Sequence, residues 1–336
     1  MARFSANGEP GLFAFGVRKQ PRRSATREGG SGALPSPLQC AYFGPVADLS
    51  FTHANLPPVR PTRRPAFRPP PLACDCHAHV FGPFDRFPLP AKPSYVPALA
   101  PFSDYLQMHG AIGFSRGVLV QPTPYGTNNS AMMAALSSGA FSLRGIALID
   151  DATSDAELER LHSRGVQGCR IHLGGANDDA ILASLPRVAA RVQPFGWHIQ
   201  FLLDAAGRPD VDRVLLSLPV PIVIDHFGMV PAREGTGSPG FQTLLRLAHG
   251  GRCWFKLSAP YRVSSLPPRY PDVTPMVRAL LEAAPDRCVW GSDWPHPNSD
   301  TMPDDGDLVD LIPEWIPDEA LRKKVLVGNP AALYGF

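Results

Sequence analysis

Eight short apolar runs recur from residue 72 onward, and they constrain the fold of this chain more than any other feature. Each run is followed by residues with helical spacing or by turn residues. The runs cover residues 72–80, 115–122, 143–150, 166–173, 197–204, 221–228, 253–260 and 288–295. They are nearly continuous in apolar character rather than alternating, which is typical of parallel strands that are buried on both faces.

Several of the segments between these runs carry helix signals. The stretch "DAELERLHSRG" ends at Gly165, "ASLPRVAARVQPFG" closes at Gly196, and "TPMVRALLEAAPD" begins at Thr274. Glycine commonly follows a helix because it adopts the left-handed conformation at little cost. Eight strand–helix repeats predict an α/β fold, a (β/α)8 TIM barrel spanning residues 71–336. A doubly wound open sheet is the alternative, but it would gather its ligand groups at one switch point.

The first 70 residues differ in composition from the rest. They contain ten Lys or Arg against three acidic residues, are rich in Pro, Ser and Gly, and show no sustained apolar period. Such a segment buries too little apolar surface to offset the entropy of ordering, so we predict a disordered or irregular extension over residues 1–70. An organellar transit peptide and a start codon assigned too far upstream would both give this pattern, and both stay open here.

The overall charge points to no charged macromolecule as partner. The chain has 32 Lys and Arg against 30 Asp and Glu, a formal net charge of +2, so we expect neither nucleic acid nor a membrane surface. No apolar run reaches the roughly 18 residues of a membrane helix, and no signal-peptide core is visible, so we expect a cytoplasmic protein. The six cysteines lack zinc-ribbon spacing and predict buried free thiols. The sequence leaves the oligomeric state open.

Polar residues collect toward the C-terminal ends of the apolar runs, which form the active-site face of a (β/α)8 barrel. They are His77, His79, Gln121, Arg170, His172, Asp225, His226, Lys256, Ser258 and Asp293, whereas His198 lies near the start of its run. A single histidine at such a place is more often a core residue bonded to backbone than a ligand, and HxH alone is a weak signal. The joint order HxH, His, His, Asp along successive strands is what indicates a functional site.

Strand alternation makes a further prediction for the run "CDCHAHV". It places Asp75 on the same face as His77 and His79, beneath the imidazoles, where a carboxylate could accept a hydrogen bond from a ring N–H. The same alternation places Cys74 and Cys76 on the opposite face.

The motifs "DCHAHVFGPFDRFPL", "PIVIDHFG", "WFKLSAPYR", "WGSDWPHP" and "NPAALYGF" resemble those of the amidohydrolase superfamily. More narrowly, they resemble the branch that contains 2-pyrone-4,6-dicarboxylate lactonase, and the resemblance covers about residues 72–336. It implies a TIM-barrel hydrolase of aromatic-compound catabolism, which opens a lactone or related cyclic ester of a small carboxylate with water.

The resemblance also implies roles for single residues. Asp293 would be the general base that takes a proton from water, and His77, His79 and His198 would polarise the scissile carbonyl. Four residues would line the substrate site: Arg170, Arg262, Tyr95 and His226. The arginines suit substrate carboxylates because a planar guanidinium can make two parallel hydrogen bonds to them. The chain lacks two arginines of the lactonase, one in "HLGGANDD" and one at Met229, which implies a substrate with fewer carboxylates or a less anionic ring.

Metal dependence stays open at this point. The wider superfamily binds one or two divalent ions, but the run "GCRIHL" lacks the Lys or Glu that would bridge two of them. We therefore expect either no required metal or one divalent ion, Zn²⁺ before others, on His77, His79 and Asp293. Two other functions also stay open. One is a metal-dependent decarboxylase of the same superfamily, and the other is a barrel that binds a small carboxylate without catalysis.

Overall fold

Eight parallel strands form where the sequence predicts apolar runs, in a computed structural model that describes residues 55–336. The strands are Cys74–Ala78 (β1), Arg116–Val120 (β2), Ser142–Ala147 (β3), Val166–Leu173 (β4), His198–Leu203 (β5), Ile222–Ile224 (β6), Cys253–Ser258 (β7) and Cys288–Gly291 (β8). They pair in sequence order. The sheet closes between β8 and β1, where the Asp293 amide donates to the His77 carbonyl at 2.8 Å and the His79 amide to the Trp294 carbonyl at 2.7 Å. The prediction of a (β/α)8 barrel is confirmed.

Helices connect the strands and surround the barrel. They are Phe102–Ile112 (α1), Ser130–Leu136 (α2), Asp155–Ser163 (α3), Asp178–Val192 (α4), Asp212–Leu216 (α5), Pro239–His249 (α6), Thr274–Ala283 (α7), Asp305–Asp310 (α8), Ile312–Trp315 (α9), Glu319–Lys323 (α10) and Asn329–Tyr334 (α11). Gly165 and Gly196 follow helical segments with φ of 93° and 67°, as predicted for glycines that end helices. Within residues 55–336, no helix combines the length and apolar character needed to cross a membrane.

The lower half of the barrel is apolar and is closed by the C-terminus. Cys74 and Cys76 pack there with valines of β2 and with Tyr334, all of them buried. The ring of Phe336 lies under the guanidinium groups of Arg116 and Arg144, at 5.2 and 4.7 Å from its centroid. Because this end is filled, the polar side chains of the upper half can open only toward the C-terminal mouth.

Strand β1 does not keep the alternation expected from the sequence. Its register with β2 shifts between Asp75 and Ala78, as in a β-bulge. Asp75 therefore turns toward α1 and β8, where its carboxylate accepts from the Tyr105 hydroxyl at 3.3 Å and from Ser292 Oγ at 2.8 Å. Cys76 and His77 both face the barrel interior. Asp75 does lie on the face opposite Cys74 and Cys76, but the prediction that it lies beneath the imidazoles is wrong, because the bulge brings His77 to the face of the cysteines.

Residues 55–70 contain no helix or strand but lie against the barrel. The Arg63 amide donates to the Asp304 carboxylate at 3.1 Å, and its guanidinium donates to Asp307 at 2.8 Å and to Asp310 at 2.6 Å. The Phe67 amide also donates to Asp310, at 2.8 Å. The rest of the predicted extension, residues 1–54, lies outside the described residues, and the boundary at residue 71 stays a prediction.

Candidate active site

Three imidazoles and one carboxylate meet at the C-terminal mouth of the barrel. His77 and His79 come from the end of β1, His226 follows β6, and Asp293 follows β8. Asp293 Oδ1 lies 3.5 Å from His77 Nε2, 3.4 Å from His79 Nε2 and 3.6 Å from His226 Nε2. Each of the four residues is at most 2% exposed. The structure thus brings these four predicted site residues together.

Asp293 is fixed through its second oxygen. Oδ2 accepts hydrogen bonds from Tyr261 Oη at 2.6 Å and from Arg262 Nε at 2.9 Å, and Arg262 Nη2 lies 2.8 Å away. Burial by itself would raise the pKa of Asp293, but the charge of Arg262 holds it well below its usual range. The carboxylate is therefore ionised. Its Oδ1 has no hydrogen-bond partner among the described residues and is available to accept a proton.

The loops that carry these groups adopt unusual backbone conformations. Non-glycine residues with positive φ cluster after β6, β7 and β8: His226 (48°), Phe227 (54°), Met229 (55°), Ala259 (51°), Asp293 (63°) and His296 (61°). Left-handed conformations of such residues cost on the order of 1–3 kcal/mol each and concentrate at functional sites. Here they turn His226 and Asp293 back over the barrel mouth, toward β1.

A second group of charged side chains lies directly beneath the imidazoles. Lys256 Nζ donates to Gln200 Oε1 at 2.7 Å, and Gln200 Nε2 donates to Asp225 Oδ2 at 3.0 Å. Asp225 forms ion pairs with Arg170 at 3.2 Å and with Lys256 at 3.5 Å. Burial raises the pKa of Asp225, but the charges of Lys256 and Arg170 together hold it well below its usual range. This buried network supports His77 from below, because Lys256 Nζ is 3.2 Å from His77 Nδ1.

The imidazoles of the site are neutral at ordinary pH. Burial lowers the pKa of His226 to about 3 and lowers the pKa values of His77 and His79 as well. The ring orientations are set by backbone and hydroxyl partners: His79 Nδ1 lies 2.7 Å from the Val120 carbonyl, and His226 Nδ1 lies 2.9 Å from Ser258 Oγ. Neutral rings can donate and accept hydrogen bonds without carrying charge into the site.

The predicted substrate-binding residues also surround this mouth. Arg170 is 5% exposed, and its Nη atoms make no hydrogen bond within residues 55–336. Arg262 differs from the expectation in using Nε and Nη2 on Asp293, with Nη2 also donating to the Pro297 carbonyl at 2.9 Å. Tyr95 packs on Phe81 with ring centroids 6.4 Å apart. Burial raises the pKa of its phenol, which also lies within the influence of Arg262, Arg170 and Asp293.

His198 is the predicted catalytic residue that the structure does not bring into the cluster. It is the first residue of β5, and its ring lies 5.5 Å from that of Tyr334, at the end of the barrel opposite the mouth. Because side chains alternate along a strand, the next inward position of β5 is Gln200, and that side chain takes part in the network. The placement of His198 near the start of its run was the sequence signal for this outcome.

Two residues of the site were not among the sequence-based candidates. Tyr261 donates the shortest hydrogen bond to Asp293, and Gln200 joins Lys256 to Asp225. Gln200 was visible as a polar residue inside the apolar run "HIQFLL". Tyr261 directly precedes Arg262 in a short 3-10 helix, and nothing in its local sequence distinguishes it from a packing aromatic.

The residues of the mouth fit one divalent ion. Ligand atoms of His77, His79 and Asp293 all lie within 4.8 Å of one another, and Asp293 Oδ1 has no hydrogen bond that an ion would have to displace. Two imidazoles and a carboxylate are a suitable donor set for zinc with an open position. A second candidate group, His77 with Asp225 and His226, shares His77 with the first. The described residues thus offer ligands for the single ion that the sequence prediction allows.

Comparison with known proteins places the chain in a family. Residues 74–336 match the amidohydrolase family model. The 2-pyrone-4,6-dicarboxylate hydrolase of Comamonas testosteroni is 38% identical over 282 residues, which cover 81% of this chain and 92% of that protein. The 4-sulfomuconolactone hydrolase of Rhizobium radiobacter is 37% identical over 299 residues, covering 85% and 99%. The apo crystal structure of an Agrobacterium tumefaciens protein superposes with a TM-score of 0.71 at 30% identity, covering 81% and 98%.

The chain belongs to the amidohydrolase family. The predictions of this family and of a hydrolase are confirmed.

Proposed function

We propose that this enzyme hydrolyses a lactone, or a related cyclic ester, of a small carboxylate, with Asp293 as the general base. The observation that carries the proposal is the ionised, buried carboxylate of Asp293, whose unpartnered Oδ1 faces three neutral imidazoles. A base of this kind can take a proton from water only if the water and the carbonyl are held beside it. Two relatives with hydrolase names that act on a pyrone and on a muconolactone support the substrate class.

The chemistry follows from the positions of these groups. A water molecule beside Asp293 Oδ1 gives its proton to the carboxylate as its oxygen attacks the lactone carbonyl. Ring N–H groups turned into the same space stabilise the oxyanion that develops. When the ring C–O bond breaks, Asp293 returns the proton to the leaving oxygen, so the products are one hydroxyl group and one carboxylic acid, which releases its proton to solvent as it becomes a carboxylate. A single divalent ion on His77, His79 and Asp293 would supply further polarisation of the carbonyl.

The charges at the mouth favour a substrate that carries a carboxylate. Three cations, Arg170, Lys256 and Arg262, face two ionised carboxylates, Asp225 and Asp293. The excess of one positive charge matches one substrate carboxylate, and the unpaired Nη atoms of Arg170 are suited to bind it in a bidentate manner. Tyr95 and His226 would complete the walls of the substrate site.

A panel of lactones assayed by base uptake in a pH-stat tests the proposal. The panel compares rings with no, one and two carboxylates, and we expect a ring with a single carboxylate to give the highest kcat/KM. We expect Asp293→Asn to lower kcat by about 10²–10⁴-fold, because a positioned general base contributes that much. Asp286→Asn, at an exposed ion pair with Lys324, serves as the matched control. Unchanged turnover in Asp293→Asn would contradict the assignment of Asp293 as the base.

Metal dependence is measured in the same assay. We propose that metal is dispensable or that at most one ion binds per chain. Two equivalents of metal per chain, together with loss of activity on chelation, would contradict this. Release of CO2 instead of acid from ring opening would favour the decarboxylase, and binding without turnover of any candidate would favour a carboxylate-binding barrel. The cytoplasmic location expected from the sequence also stays a proposal.

A further inference from the structure

We propose that Lys256 is a positioning residue that fixes the ring proton of His77 on Nε2 and so makes this imidazole a hydrogen-bond donor toward the reacting carbonyl. The chemical consequence rests on the proposed lactone hydrolysis. The position of the proton rests only on contacts within the barrel and can be measured without substrate.

The first step concerns His79. Its Nδ1 lies 2.7 Å from the carbonyl oxygen of Val120, and a carbonyl oxygen can only accept. The ring proton of His79 is therefore on Nδ1. His79 Nε2 is the ring nitrogen that faces His77 and Asp293.

The imidazole of His77 contacts that of His79 through a ring nitrogen. His77 Nε2 and His79 Nε2 form a hydrogen bond of 3.2 Å, which needs one proton between the two nitrogens. Lys256 Nζ, an ammonium group that can only donate, lies 3.2 Å from the other nitrogen of the His77 ring, so the proton between the two rings belongs to His77 Nε2. His77 is fully buried, so a protein group rather than solvent must serve its Nδ1.

The third step identifies the donor that His77 Nδ1 requires. Two groups lie close to this nitrogen: Lys256 Nζ at 3.2 Å and Asp225 Oδ1 at 3.3 Å. The lysine contact has hydrogen-bond geometry, whereas Asp225 Oδ1 has no hydrogen-bond partner. Two protons of the ammonium group find acceptors in Gln200 Oε1 and His77 Nδ1, and Asp225 Oδ1 balances its charge from 3.5 Å. Lys256 has no exposed surface, so solvent does not compete with these contacts.

A charged donor on Nδ1 strengthens the donor at the other side of the ring. Hydrogen bonds in series polarise one another, and a bond from a charged group is stronger than one between neutral groups. His77 Nε2 lies 3.2 Å from His79 Nε2 and 3.5 Å from Asp293 Oδ1, and a lactone carbonyl bound beside these atoms would replace His79 Nε2 as the acceptor of its proton. The same proton must leave before His77 Nε2 can bind an ion, so Lys256 opposes a metal at this nitrogen.

The alternative is that Asp225 is the true partner of His77 Nδ1. The ring proton would then lie on Nδ1, Nε2 would be free to bind a metal, and Lys256 would serve only to neutralise Asp225. The two arrangements differ by the position of one proton, which ¹⁵N NMR of histidine-labelled protein reports directly. We expect His77 in the chelator-treated wild-type enzyme at pH 7.5 to be protonated on Nε2, with the signal assigned from its loss in His77→Asn. A proton on Nδ1 would overturn the proposal.

Two variants test whether Lys256 is the cause. Lys256→Met keeps the shape of the side chain and removes the donor, whereas Gln200→Met breaks the network but leaves Lys256 beside His77. We expect Lys256→Met to move the ring proton to Nδ1, facing Asp225, and Gln200→Met to leave it on Nε2. We also expect Lys256→Met to lower kcat by roughly 10–100-fold with little change in KM, a smaller loss than removal of a whole oxyanion donor.

Zinc binding gives a readout that does not depend on turnover. By isothermal titration calorimetry without substrate, we expect Lys256→Met to bind zinc at least about tenfold more tightly than wild type, because the opposing proton and charge are gone. An unchanged ring proton and an unchanged zinc affinity in a folded Lys256→Met would contradict the proposal. If this variant does not fold, the wild-type spectrum still decides. Absence of lactone turnover by the wild type would reject the proposed function and leave the NMR result standing.

Discussion

At the scale of the residue, Asp293 shows how a buried carboxylate stays available as a base. A carboxylate without exposed surface would normally take up a proton, since the charged form loses its hydration. Arg262 prevents this with a hydrogen bond from Nε and an ion-pair contact from Nη2 to Oδ2, and Tyr261 donates a second hydrogen bond to the same oxygen. Because all three partners use Oδ2, Oδ1 keeps its lone pairs for the reaction. The arginine that the sequence assigns to substrate binding is therefore also the group that sets the state of the base.

Arg262→Gln tests this dependence through the pH profile. With the wild-type pKa of Asp293 well below 3.8, the base is ionised throughout the range from pH 5 to 8 and does not limit activity there. Loss of the Arg262 charge raises that pKa, so a growing fraction of Asp293 is protonated as the pH falls. We expect kcat/KM of the variant to fall more steeply between pH 7 and pH 5 than that of the wild type. Arg187→Gln, at an exposed pair with Asp151, is the control, and a profile of unchanged shape in Arg262→Gln would refute the argument.

At the scale of the element, the seam between β8 and β1 builds the site. A β-bulge turns His77 inward one residue earlier than alternation allows, and the backbone after β8 bonds directly to β1 at His77 and His79. Gly291 makes this close approach possible. A Cβ placed there would lie 2.7 Å from His77 Cβ and 2.8 Å from His77 N, closer than side-chain carbons come to either atom.

We expect Gly291→Ala to disturb the seam and the site together. The clash involves backbone on the β1 side, so it cannot be relieved by a side-chain rotation, and we expect a loss of about 1–3 kcal/mol in the free energy of unfolding with a large fall in kcat. Gly110→Ala is the matched control, because a Cβ at that position in α1 meets no atom within 4 Å. The control should be neutral or more stable by up to about 1 kcal/mol. Chemical denaturation and the lactone assay on both variants provide the measurement, and equal behaviour of the two would contradict this account.

At the scale of the whole molecule, residues that precede the first strand bind to the loops and helices of the barrel. Asn55 links two parts of the mouth, since its side chain donates to the Val96 carbonyl at 3.1 Å and accepts from the Asn298 amide at 2.7 Å. Arg60 donates to the Leu99 carbonyl at 2.9 Å, and Arg63 binds the start of α8. The segment 82–99, which carries Tyr95, is thus held in place by residues that precede the first barrel strand.

We expect deletion of residues 1–70 to destabilise the protein relative to deletion of residues 1–54. The additional loss includes the Asn55 and Arg60 hydrogen bonds, the Arg63 contacts with three carboxylates and the Phe67 amide bond to Asp310, which we put at roughly 1–3 kcal/mol because these groups are partly exposed. Unfolding by urea at low and high salt measures the difference, and salt should reduce its ionic part. Equal stability of the two truncated chains would show that residues 55–70 do not stabilise the barrel.

The sequence by itself determined the architecture and most of the chemistry. Continuous apolar runs can be buried on both faces only in a sheet covered by helices, and polar residues at their C-terminal ends must meet at one mouth, so His77, His79, His226 and Asp293 were predictable. The tertiary structure decided which contacts these groups make. Strand alternation fails at the bulge of β1, which no local signal marks, and so the place of Asp75 was predicted wrongly. Likewise, the supporting contacts of Lys256 with His77 and of Tyr261 with Asp293 join residues 179 and 32 positions apart, and only closure of the barrel brings them within hydrogen-bond distance.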